Sequence, residues 1–122
     1  MPLTRALLAL MAATCLTAEG AIAHHSTVVN FDSSRQVTVV GVLTEATWRN
    51  PHSRFRLDVT YGGVTQEWLV EMGASNTLKR AGFPMDAFTV GDRITVTGSP
   101  GYRDRSLLLR EAVLADGRRL QP

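Results

Sequence analysis

The chain has one cysteine, Cys15, and one lysine, Lys79, among its 122 residues. A lone thiol excludes an internal disulfide framework, and without a cysteine pair there is no structural zinc knuckle. There are three histidines, His24, His25 and His52, so any imidazole site must draw on these. Also missing are a Gly-x-Ser-x-Gly elbow, a His-Glu-x-x-His helix, a Walker-type phosphate loop and a glycine-rich dinucleotide fingerprint. Their absence removes the commonest sequence signatures of hydrolytic, metalloprotease and nucleotide chemistry. Nor is charge of one sign in excess: 13 Lys+Arg against 11 Asp+Glu leave a formal charge of +2. A pI near 9.2 therefore does not demand a phosphate-bearing partner, and none of the nucleic-acid kind is expected. At 44% hydrophobic and 20% charged residues, with mean hydropathy near zero, the chain is too apolar for disorder and too polar for a membrane bundle. One compact soluble domain is the expectation.

The first residues have the layout of an export leader. Arg5 supplies a positive start, Ala6 to Leu16 an apolar run, and Ala21-Ile22-Ala23 the small residues of a cleavage site. Residues 1–23 are accordingly predicted to be a signal peptide, and residues 24–122 a mature domain that is periplasmic or secreted. The apolar run is about half of the roughly 20 residues that cross a bilayer, so no stable membrane anchor is expected after processing. Cys15 falls within the leader, and Ala12-Ala13-Thr14 before it is a poor lipoprotein box because Thr14 stands where Gly, Ala or Ser is preferred. Removing the leader takes away Arg5 and Glu19 together, which leaves the charge at +2 and the mature domain free of cysteine.

Period-two patterning dominates the remainder of the chain. Residues 36–48 are rich in β-branched side chains and interrupted by Gly41, which predicts a long first strand bent at that glycine. Asn50-Pro51 signals a turn. Phe55, Leu57, Val59 and Tyr61 then alternate with Arg54 and Arg56, so that apolar and arginine side chains take opposite faces. Gly62-Gly63 fits a primed hairpin turn into a third strand over Thr65–Met72, where Trp68, Val70 and Met72 alternate with Leu69 and two glutamates. A short helix over Thr77–Ala81 is expected to be capped by Ser75 or Asn76 and stopped by Gly82 and Pro84. Val90-Gly91-Asp92 turns into a strand over 93–98 with Ile94 and Val96 inward. Pro100-Gly101 turns again into a last strand from about Ser106 to Ala115, with Leu107, Leu109 and Val113 on one side and Leu108, Arg110 and Leu114 on the other. Three strands, a short helix and two strands is the order of a small five-stranded barrel of the oligonucleotide/oligosaccharide-binding (OB) type. The expected fold is thus all-β with one short helix, and a sandwich of different connectivity is the rival.

Cleavage after Ala23 would give His24 both a primary amine and an imidazole, a pair able to chelate Cu²⁺. His25 or His52 would supply a further nitrogen, so His24, His25 and His52 are the candidate metal ligands and copper the candidate cofactor. Glu71 and Met72 are weaker candidates, since strand position makes Met72 a core residue and Glu71 an outward one. The alternative is a periplasmic adaptor or small-ligand-binding module without metal, using a face in which Arg49, Arg54 and Arg56 flank Trp48 and Trp68, with Asn50 in the adjoining turn. Asp58, Glu67 and Glu71 offset the positive field there. These residues suggest a binding protein and not an enzyme.

His24-His25-Ser26, Phe31-Asp32, Trp48-Arg49-Asn50-Pro51-His52, Glu67-Trp68-Leu69-Val70-Glu71-Met72-Gly73, Asn76-Thr77-Leu78-Lys79-Arg80-Ala81-Gly82 and Val90-Gly91-Asp92 together resemble a family of small exported bacterial proteins known as a domain of unknown function. The resemblance runs from His24 to about Leu120. It implies an exported β-rich domain with His24, His25, Asn50 and His52 as recurring polar positions, and no established activity. The chain departs from the family pattern at Thr27, at Ala74-Ser75 and at Phe83, changes that touch packing and leave the histidines in place.

Overall fold

The computed structural model describes residues 30–122. The expected leader, Cys15, His24 and His25 lie outside the described residues. Among the described residues, six strands and one helix occur in the order β1 (Val37–Thr47), β2 (Ser53–Tyr61), β3 (Val64–Met72), α1 (Ser75–Arg80), β4 (Arg93–Pro100), β5 (Ser106–Val113) and β6 (Arg119–Leu120), with a 3-10 turn at Met85–Ala87 between α1 and β4. Neighbours in the sheet order β3-β2-β1-β4-β5-β6 are antiparallel, and a parallel pairing of β3 with β5, Leu69–Glu71 against Ser106–Leu108, closes the first five strands into a barrel. This is the expected OB-like barrel, and the closure excludes the sandwich.

Alternation fills the barrel as the sequence requires. Phe55 and Leu57 of β2, Val70 and Met72 of β3, Ile94 and Val96 of β4, and Leu107 and Leu109 of β5 all point inward and are buried. Each such side chain contributes about 1.5–3 kcal/mol by leaving water. Met72 is a core residue, 1% exposed. The β2–β3 hairpin turns on Gly62 and Gly63, both at positive φ (58° and 79°), which a primed two-residue turn needs and a glycine supplies without strain.

Three local expectations change. Gly41 does not mark the irregularity in β1, because register slips two residues later, between Leu43 and Glu45, where Thr44 is the extra residue. Gly41 is needed for a different reason: a Cβ there would lie 2.8 Å from the Asp58 carbonyl oxygen, so β2 can approach β1 only if that atom is absent. On β5 the two predicted faces are right as far as Leu109 and then exchange. Gly98 pairs with Leu109 but Thr97 with Glu111, so Arg110 is a bulge residue, and Ala112 and Leu114 are buried instead of Val113. Finally, α1 begins at Ser75 with Ala74 at its N-cap and no capping side chain of its own. Its exposed amide is met from 26 residues away: Asn50 Oδ1 accepts the Asn76 N–H at 3.1 Å and the Ser75 hydroxyl at 3.2 Å. The other end agrees with expectation, with Gly82 at φ 74°, its N–H on Lys79 O and the Phe83 N–H on Leu78 O, while Leu78 and Phe83 bury together.

Candidate functional site

The connection from β1 to β2 is closed by its own polar groups. The Ser53 hydroxyl donates to Arg49 O and accepts from Arg49 N–H, both at 3.2 Å, and Arg49 O also takes the Ser75 N–H at 2.9 Å. Asn50 is engaged at the start of α1 and precedes a cis bond to Pro51. Trp48 stands edge-on to Phe55 with ring centroids 5.4 Å apart, and packs beside Phe88 at 5.9 Å and Phe83 at 6.3 Å. Trp48 thus belongs to an aromatic cluster at the helix end of the barrel and not to the arginine face where the sequence placed it. Trp68 likewise packs on the core. Their inward phase explains both placements: residues 46 and 48 continue the buried face of β1, and residues 68, 70 and 72 form that of β3.

The arginines do come together. Arg54 and Arg56 rise from β2 and, with Gln66, Glu67 and Leu69 of β3, Arg103, Asp104 and Arg105 of the β4–β5 loop and Ser106 at the start of β5, line a groove of about 380 Å³. A smaller recess beside it, about 110 Å³, shares Arg54 and Arg56 and adds Arg49, Glu45 and Thr47. Register explains the assembly, because Arg54 and Arg56 sit opposite Thr47 and Glu45 on one side and Glu71 and Leu69 on the other, all on the outward face. Arg56 is held between two carboxylates, its Nε 3.2 Å from Glu45 and its Nη1 bonded to Glu67. Thr47, donating to Glu45 at 2.6 Å, holds that carboxyl below its usual range, with Arg56, Arg49 and Arg54 lowering it further. Arg105 pairs with Asp104 at 2.6 Å. Arg54 and Arg103, by contrast, make no ion pair among the described residues.

Sequence reasoning does not single out Arg103 and Arg105. Their signal is the run Tyr102-Arg103-Asp104-Arg105 straight after the Pro100-Gly101 turn, which reads as a solvated loop until barrel closure sets it against β3. Arg105 has φ 51°, and its carbonyl receives the Leu69 N–H at 2.9 Å, so this residue is where the loop joins the barrel. His52 is exposed and makes no hydrogen bond among the described residues. No three His, Cys, Asp or Glu side chains among the described residues converge on a point able to hold a metal ion.

The groove lies on the β2–β3 face beside the β4–β5 loop, the part of an OB barrel suited to ligand contact. Two crystal structures of the mitochondrial single-stranded DNA-binding protein Rim1 from S. cerevisiae, one of them selenomethionine-labelled, share this fold. The first has a TM-score of 0.51 at 13% identity over 70% of this chain and 95% of Rim1. The second has 0.51 at 14% over 70% and 94%. No curated protein matches the chain. A sequence family described as a family of unknown function (DUF6152) matches residues 12–107.

Proposed function

The chain belongs to this family of unknown function, and from that premise we propose that it is a small ligand-binding module of the OB type that holds an anionic ligand in the Arg54–Arg103 groove. The observation that carries this is the pair of guanidiniums without carboxylate partners among the described residues, Arg54 and Arg103, facing one groove together with the anchored Arg56 and Arg105. A guanidinium presents parallel N–H groups that match carboxylate or phosphate oxygens. Four arginines against Glu67 and Asp104 leave the lining positive. Trp48, engaged in the aromatic cluster, has no part in it.

Rim1 is a single-stranded DNA-binding protein, which gives the expectation of no nucleic-acid partner no support. At this identity, however, the likeness extends to the fold alone, and no aromatic side chain among the described residues lines the groove for a base to stack on. A small or extended anion held by arginine is therefore the preferred ligand. Titration with inorganic pyrophosphate at low salt tests this. Saturable binding that weakens with added salt and is lost in the Arg54→Ala/Arg103→Ala variant is expected. Absence of saturable binding, or equal affinity in the variant, contradicts it. Oligothymidylate as a competitor shows whether nucleic acid uses the same groove.

A second reading keeps copper. What favours it is His52, an exposed imidazole without a hydrogen-bond partner among the described residues, on a turn braced by Asn50 and Ser53. His24, with its liberated amine, and His25 would complete the ligand set after export. Copper titration of protein beginning at His24, beside protein carrying one extra N-terminal residue, distinguishes the cases: equal affinity removes the amine, and equal affinity of His52→Ala removes the ring. Mass spectrometry of the exported protein tests the leader itself, with His24 as the expected first residue.

A further inference from the structure

We propose that the open edge of β3 receives an extended acidic peptide as an added strand, its carboxylates meeting the groove arginines; this rests on the groove's being an anion site. The β3–β5 pairing that closes the barrel involves only Leu69–Glu71. Upstream of it, Val64–Trp68 is paired with β2 on one side and has no strand on the other among the described residues. Hydrogen-bonding direction alternates along a strand. Because the Leu69 N–H points away from β2, to Arg105 O, the amides and carbonyls of Glu67 and Thr65 point the same way. No backbone partner meets them among the described residues. The groove is lined from this edge by Gln66 and Glu67 and from the β4–β5 loop by Arg103 and Arg105.

A strand laid there would continue the sheet in the manner of β-augmentation, with backbone bonds to Thr65 and Glu67 giving affinity and alternate side chains giving selectivity. Four arginines over two carboxylates in the lining select acidic side chains on the incoming strand. The same charge disfavours a second copy of this chain, which would bring two positive grooves together. Alternating donors and acceptors on the edge match a peptide, and a groove lined by no stacking ring among the described residues favours it over nucleic acid.

The test uses a fluorescein-labelled peptide alternating glutamate and valine over six residues, together with two isomers N-methylated at the odd or at the even positions. A strand offers one set of its amides to the edge, so one isomer should bind at least about tenfold more weakly than the parent while the other binds like it. Amide exchange at Thr65 and Glu67 should slow when the parent peptide is bound. A Thr65→Pro variant, which removes one edge donor at a position edge strands tolerate, should also lose peptide affinity and retain pyrophosphate binding. Equal binding of both isomers, equal loss in both, or no binding of the parent overturns the added strand. If pyrophosphate still binds through Arg54 and Arg103 in that case, the groove remains an anion site; if it does not, the anion reading fails as well.

Discussion

The turn that leads into β2 and the outer face of β2 differ in what their polar groups already do. In that turn Asn50 caps α1, Ser53 closes it on Arg49, and Trp48 is packed among Phe55, Phe83 and Phe88. On the outer face, Arg54 is unpaired among the described residues and shares its groove with the equally unpaired Arg103. One region is a structural joint between barrel and helix, and the other is a surface on which two guanidiniums, Arg54 and Arg103, make no ion pair among the described residues. Asn50 and Trp48 are thus tied into the fold by long-range contacts, whereas Arg54 gains a neighbouring guanidinium only when a second loop joins it.

That contrast predicts a ranking of effects. Phe55→Ala should be the most damaging, costing about 3–5 kcal/mol because the ring is fully buried and touches both Trp48 and Phe88. Chemical denaturation would reveal it as a lowered midpoint, and a loss below about 1 kcal/mol would mean that the aromatic cluster is not the joint described. Asn50→Ala should cost about 1 kcal/mol, the usual value of a lost helix cap, although the cap comes from a distant turn. If Asn50→Asp, which keeps the acceptor, restores stability, capping is the cause. The smallest change in stability is expected for Arg54→Ala/Arg103→Ala, within about 0.5 kcal/mol for each exposed site, even though anion binding disappears. A large drop in its denaturation midpoint would make the groove structural too and erase the distinction between the two regions.

Much of the barrel was legible because its signals are local. The alternation of Phe55, Leu57, Val70, Met72, Ile94 and Val96, the paired glycines of the hairpin and the stop at Gly82 each report on a few neighbouring residues. What escaped depends on partners far off in sequence. The phase change on β5 arises where Arg110 is left over against Gly98 and Thr97, and the requirement at Gly41 comes from the backbone of Asp58. The candidate site divides in the same way. Arg54 and Arg56 stand out in the strand pattern alone. Arg103 and Arg105 become visible only when β5 pairs in parallel with β3, and the roles of Asn50 and Trp48 depend on α1 and the aromatic cluster.

The most direct measurement of the central claim is a residue-by-residue amide shift map as inorganic pyrophosphate is added. Progressive, saturable shifts gathered at Arg54, Arg56, Glu67, Arg103 and Arg105, with Asn50 and Trp48 unmoved, are the result expected. Shifts centred on the Asn50–His52 turn, or scattered without saturation, would contradict a ligand groove formed by β2, β3 and the β4–β5 loop.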